Sequence, residues 1–219
     1  MPRTRMLQLL SWLWPVTEAR VQGHFGPLEV RWENGRRVLN SAQANQSFGS
    51  LHRVWQGVLP AVVSASAPPT SVLMLGFGGG SALQILRHDL HVQAPITAIE
   101  IDPVVMELAT RFFDAGDAKG LHVLTGDATI LLHSLRERYA LIVVDLFDDL
   151  DLARGVDTNG FIHCLRDRCA EGGVVCFNTV AYDARAAERS QRVHDHLSKA
   201  FLTVDEMVFE GDNRVFIAR

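Results

Sequence analysis

The sequence is poor in cysteine, has no excess of positive charge and contains no hydrophobic run long enough to cross a bilayer. Cys164, Cys169 and Cys176 are the only three cysteines in 219 residues. None forms a C-x-x-C pair, so a disulfide framework is excluded and a reducing, cytoplasmic setting is expected. With 21 Lys+Arg against 25 Asp+Glu, the formal charge is -4. That balance argues against a nucleic-acid reader held mainly by phosphate contacts, and no nucleic-acid partner is expected. The most apolar stretch, Leu7 to Val16, follows Arg3 and Arg5 and is interrupted by Ser11 and Pro15. It is too short to span a membrane. Thr17-Glu18-Ala19-Arg20 offers no small-residue cleavage site after it, so a short surface or interface helix is predicted, with Leu9, Leu10, Leu13 and Trp14 as its sticky face. Together with Trp12 and Trp32 this apolar surface suggests a homodimer. The nine histidines are scattered. His194 and His196, two apart on a helix, point to different faces, and no metal site is expected. Internal repeats, low-complexity tracts and a G-x-S-x-G elbow are also missing.

What is present is the composition of an ordinary globular domain, 47% hydrophobic and 21% charged, long enough for one full core and a small appendage. Residues 1–68 read as the appendage: an N-terminal helix, a β-hairpin around Asn34-Gly35 within Val21 to Asn40, and a helix over Gln46 to Val63 carrying Leu51, Val54, Trp55, Val58 and Leu59 on one face. Ser64 to Thr70 reads as a linker. Residues 69–219 then alternate strand and helix, which predicts an α/β domain with a parallel sheet covered on both faces. Strands are predicted over Ser71 to Leu75, Pro95 to Ile101, Leu121 to Thr125, Tyr139 to Asp145 and Gly173 to Thr179. Helices are predicted after the glycines to about His88, from Pro103 to about Phe113, from Asp127 to about Leu135, over Asp157 to Ala170 and over Ala184 to Ala200. Two last strands, Leu202 to Phe209 and Arg214 to Ala218, are joined by a short turn and must be antiparallel. A mostly parallel seven-stranded sheet ending in an antiparallel hairpin is the arrangement of the Rossmann-like class I methyltransferase fold.

Three consecutive strand ends offer groups suited to an adenosine. VLMLGFGGGS, Val72 to Ser81, runs a buried strand into Gly76, Gly78, Gly79 and Gly80 and then a helix, so that a ligand can lie against bare backbone near the helix N-terminus. Ser81 stands where a dinucleotide fingerprint wants glycine or alanine. Glu100, in AIEID with Ile101, stands where a carboxylate can accept ribose hydroxyls. Asp127, in TGDA with Ala128, can receive an adenine amino group or cap a helix, and Asp102 reads better as a cap before Pro103. The fourth strand ends in VVDLFDDLD, placing Asp145, Asp148, Asp149 and Asp151 at the same sheet edge, where a cationic second substrate is expected. The strand lacks the D/N-P-P-aromatic run used on nucleobase amines.

Taken in order, VLMLGFGGGS, AIEID, TGDA and VVDLFDD resemble the spermidine synthase-like family, over roughly Phe25 to Arg219. The resemblance implies an aminopropyl transfer from decarboxylated S-adenosylmethionine to a small-molecule di- or polyamine without a metal, with methyl transfer from S-adenosylmethionine or bare nucleoside binding as alternatives. By resemblance, Gly76, Gly78, Gly80, Glu100, Ile101, Asp127, Ala128 and Gln43 hold the nucleoside. Asp145 matches the catalytic aspartate, and Asp148 and His52 match substrate-contacting positions. Gly79 stands where the family's glycine loop has an aspartate, and Leu51 where it has a tyrosine.

Overall fold

The computed structural model describes residues 3–41, 45–47, 49–64, 68–209 and 212–219. Helix α1 (Arg3–Leu10) is shorter than the apolar run suggests. Pro15 lacks an N–H and disfavours helical backbone at the residue before it, so the chain turns over Ser11 to Trp14 and Val16 enters a strand instead. Leu9, Trp12, Leu13 and Trp14 are exposed while Leu10 is half-buried.

Where the alternating pattern predicts two strands, the structure has four: β1 (Val16–Gln22), β2 (Pro27–Glu33), β3 (Arg36–Asn40) and β4 (Asn45–Ser47), in that spatial order. Asn34 and Gly35 turn β2 into β3 with φ of +50° and +76°, the backbone a two-residue hairpin requires. β1 is an edge strand with a register shift between Thr17 and Ala19, and its sequence, VTEARVQ, never alternates cleanly. β4 takes up residues that read as the first turn of the next helix, so α2 (Ser50–Ser64) begins four residues later than the predicted Gln46.

The larger sheet comprises β5 (Val72–Leu75), β6 (Ile96–Glu100), β7 (Leu121–Thr125), β8 (Tyr139–Val144), β11 (Cys169–Val180), β12 (Val204–Phe209) and β13 (Asn213–Ala218). Its order is β12-β13-β11-β8-β5-β6-β7. β11, β8, β5, β6 and β7 run parallel, and β13 is antiparallel to both of its neighbours. Two strands of two residues each, β9 (Phe147–Asp148) and β10 (Asp151–Leu152), form a small hairpin between β8 and the next helix. Beyond α2 the helices are α3 (Ser81–Gln84), continued by a π-helical turn over Ile85–Asp89, then α4 (Pro103–Phe113), α5 (Ala128–Ser134), α6 (Asn159–Arg168) and α7 (Ala184–Ala200). The predicted helix to Ala170 stops at Arg168, because Cys169 already pairs with Tyr139 of β8.

Each central strand feeds two cores, as a strand with side chains alternating between covered faces must. Val72 and Met74 of β5 pack with Val54, Trp55, Val58 and Leu59 of α2 and with Leu28, Val30 and Leu39 of the small sheet. Leu73 and Leu75 pack on the opposite face with Leu132 of α5, Leu165 of α6 and Val193 of α7. All three cysteines are free and buried. No helix among the described residues is long and apolar enough to cross a membrane.

Candidate functional site

The carboxyl ends of β5, β6, β7 and β8 are stitched together by backbone. Gly76 N–H donates to the Ile99 carbonyl (2.9 Å), Asp145 N–H to the Leu75 carbonyl (2.8 Å) and Gly126 N–H to the Glu100 carbonyl (2.9 Å). The approach is so tight that a Cβ on Gly76, whose φ is +84°, would stand 2.1 Å from the Asp145 carbonyl oxygen. Only glycine fits there. The glycine turn therefore sets the spacing between strand ends as well as exposing backbone.

Glu100 closes the turn from the other side. Its Oε2 accepts from Phe77 N–H (2.9 Å) and Gly78 N–H (3.3 Å), and Oε1 from Asp102 N–H (3.0 Å). Burial pushes its carboxyl up, and those three N–H donors pull it partly back. Oε1 keeps acceptor capacity for a hydroxyl. Asp127 caps α5 through one oxygen: Oδ1 accepts from Thr129 N–H and Thr129 Oγ1, both at 2.7 Å. Oδ2 has no partner among the described residues. Asp102 is the cap of α4, accepting from Val104 N–H (2.9 Å), and its other oxygen takes His24 N–H (2.6 Å), pinning the β1–β2 turn to the sheet edge.

Asp145 stands just past β8, with one donor on each oxygen. Trp55 Nε1 donates to Oδ2 (3.0 Å) and Asn178 Nδ2 to Oδ1 (2.9 Å). Asn178, fully buried, in turn accepts from Asn213 Nδ2 (3.3 Å). Burial pushes the Asp145 carboxyl up and the two hydrogen bonds oppose it. Beyond it the β9–β10 hairpin turns at Asp149, with φ +56°. Ser41 Oγ donates to Asp149 Oδ1 (2.5 Å) and Tyr182 Oη to Asp151 Oδ1 (3.1 Å).

Beyond these strand ends lies a cavity of about 650 Å³, within the range of small-molecule sites. Gly76, Gly78, Glu100, Ile101, Asp127, Ala128, Asp145 and Asp148 all line it. Gly80 instead precedes α3 as its N-cap and lies off the lining. His52 is also off the lining: α2 begins at Ser50, so Ser50 and Leu51 face the cavity and the next residue is turned away from it. Burial and Arg36 hold the His52 imidazole below its usual pKa. Gln43 lies outside the described residues. Sequence reasoning missed Trp55, Asn178 and Asn213. Asn178 carried a signal, a polar residue inside the apolar run VVCFNTV; Trp55 carried none, since its spacing is that of a core helix face. Among the described residues six carboxylates, of Glu100, Asp102, Asp127, Asp145, Asp148 and Asp149, line the cavity together with one arginine, Arg154. Among the described residues no group of three His, Cys, Asp or Glu is placed to hold a metal ion.

A seven-stranded sheet of this order, with its ligand-sized cavity beyond the strand ends, defines a class I methyltransferase-like protein. The Spermine/spermidine synthase domain matches residues 55–210, more than half of the chain, and the chain belongs to that family. It is 27% identical over 159 residues to a polyamine aminopropyltransferase of Vibrio vulnificus (strain CMCP6), covering 68% of this chain and 50% of that protein. It is 34% identical over 95 residues to an eEF1A lysine and N-terminal methyltransferase homolog of Drosophila pseudoobscura pseudoobscura, covering 42% of this chain and 14% of that one. The chain thus spans half or less of the length of these relatives. The crystal structure of spermidine synthase from Thermotoga maritima superposes with a TM-score of 0.73 at 17% identity, covering 93% of this chain and 72% of the other.

Proposed function

We propose that the chain is a transferase that moves an aminopropyl group from decarboxylated S-adenosylmethionine to an amine. The observation that carries this reading is Asp145, an aspartate held on both oxygens by Trp55 and Asn178 in the wall of an acidic cavity. The residues fit a nucleoside: bare backbone at Gly76 and Gly78, spare acceptor capacity on Glu100 Oε1, and an Asp127 Oδ2 with no partner among the described residues, at successive strand ends. Glu100 and Asp127 would hold it. A bound decarboxylated donor would supply an electrophilic carbon next to its sulfonium, with the C–S bond breaking as the N–C bond forms and the sulfur leaving as neutral methylthioadenosine.

The protein's task is then the nucleophile. An alkyl amine resembles lysine, with a pKa of roughly 10.4, so freeing its lone pair at neutral pH costs about 4 to 5 kcal/mol. Asp145 accepts the amine's proton as attack proceeds, and its raised pKa brings it closer to that task. Trp55 and Asn178 fix the carboxylate so that orientation is not paid for in each turnover. Asp148, exposed at the cavity rim, attracts the far ammonium of a diamine.

Methyl transfer from S-adenosylmethionine is the second reading. It is favoured by Gly79, which removes a negative charge from the glycine loop, and by the likeness to a methyltransferase. Calorimetric titration with the two donors, which differ by one carboxylate, tests the choice. Tighter binding of the decarboxylated donor supports aminopropyl transfer; tighter binding of the intact donor replaces it with methyl transfer.

A further inference from the structure

Among the described residues Arg154 is the one arginine lining a cavity that six carboxylates also line, and its setting sets it apart from other arginines of the same region. Arg189 and Arg192 are bound to the carboxylates of Asp157 and Glu188, and Arg185 stands 3.9 Å from that of Asp151. Arg154 is exposed, lines the cavity and has no ion-pair partner among the described residues, although Asp148 and Asp149 line the same cavity. The backbone that carries it is fixed on both sides. Ala153 N–H donates to the Leu146 carbonyl (3.0 Å) and the Ala153 carbonyl accepts from Arg189 Nη2 (3.0 Å). On the other side the Gly155 carbonyl accepts from Thr158 Oγ1 (2.7 Å). A guanidinium on a loop tied at Ala153 and Gly155, lining the cavity and in no ion pair among the described residues, is available to an anion that comes from outside the protein.

We propose that Arg154 recognises a carboxylate, so that the cavity takes a ligand with an acid group beside its ammonium. For a simple diamine Arg154 is a repulsive element, costing affinity with nothing in return. For an aminocarboxylate, Asp148 and Arg154 meet opposite charges. The carboxylate can belong to the acceptor, which then is an amino acid-like amine, or to an intact S-adenosylmethionine. The acceptor assignment rests on the aminopropyl reading above; the carboxylate recognition does not.

The test is calorimetric, on the full chain and on Arg154→Gln, with two matched pairs of probes. The pairs are intact and decarboxylated S-adenosylmethionine, and ornithine and putrescine with methylthioadenosine present. Arg154→Gln is expected to weaken one carboxylated probe about tenfold, while the matched uncarboxylated probe binds equally or more tightly. Loss on ornithine assigns the carboxylate to the acceptor. Loss on S-adenosylmethionine alone assigns it to the donor: carboxylate recognition then stands and the aminopropyl reading falls. The proposal is overturned if the substitution changes no probe, if it weakens all four alike, or if the unsubstituted protein prefers the uncarboxylated member of both pairs. In the last case aminopropyl transfer to a plain polyamine survives without it.

Discussion

The two ends of the cavity are built differently. At the ends of β5, β6 and β7, the groups are local: Gly76, Glu100 and Asp127 each bond to backbone within a few residues or at the adjoining strand end. Around Asp145, the groups arrive from far along the chain: Trp55 from α2, Asn178 from β11, Asn213 from β13 and Ser41 from beyond β3. The first end is folded as soon as the sheet is folded. The second depends on the small sheet, α2 and the last hairpin all docking correctly, so specificity can change there without disturbing the strand ends.

Substitutions that keep shape and remove charge separate the two ends most sharply. Asp145→Asn is expected to lower kcat by about 10³, the scale of a positioned general base, while nucleoside affinity measured by calorimetry changes less than about threefold. Retained turnover in that variant removes Asp145 from the role given to it. Glu100→Gln is expected to act oppositely, weakening nucleoside binding by about 10² because an amide cannot accept on both sides. One side chain –NH₂ would then face the N–H of Asp102 or the pair from Phe77 and Gly78. The same clash costs about 2 kcal/mol of stability, readable as a lower urea midpoint. If Glu100→Gln folds as stably as the parent, the three N–H bonds are not what shapes the loop.

That difference in construction also decides how much could be read in advance. The strand ends were legible because their chemistry is sequential: a buried strand, then glycines, then a carboxylate at each following strand end. The last hairpin was legible because a short turn leaves no room for a parallel crossover. β1 and β4 were not, one being an edge strand with a bulge and the other three residues long. The setting of Asp145 was only half legible. Its own position follows from the strand, but its two donors are 90 and 33 residues away in sequence, and a tryptophan on an apolar helix face gives no hint that its N–H meets a carboxylate. His52, placed by resemblance beside a substrate, is off the cavity because the helix starts at Ser50 and sets its phase.

Trp55→Phe probes that long-range contact alone. The ring stays in the core with most of its area, so the fold is expected to lose only about 1 kcal/mol. The N–H on Asp145 Oδ2 is gone, and kcat is expected to drop about tenfold with the acceptor KM nearly unchanged. A change confined to KM would instead make Trp55 a wall of the acceptor site.

The smallest effect expected is one of pH, and it sharpens the contrast by its sign. Glu100 and Asp145 are raised by burial, so their ionised forms cost stability at neutral pH and acidification relieves that cost. Asp157 behaves in the opposite way. It anchors the loop after β10 to α7 through Arg189 (2.9 Å) and Arg192 (2.9 Å), and the hydrogen bonds from Arg189 hold its carboxyl down at about 2, from an ordinary 3.8. Its contribution is therefore complete above pH 3.8 and is lost as pH falls through 2. With Asp157 and Arg189 largely shielded from water but Arg192 43% exposed, that contribution is about 1 kcal/mol. Urea unfolding measured from pH 6 down to pH 2 should show Asp157→Asn less stable by that amount at pH 6, with the two curves converging toward pH 2. Parallel curves would mean that the arginines gain nothing from the charge, and that α7 is tied to the loop carrying Arg154 through the Leu152 and Ala153 carbonyls.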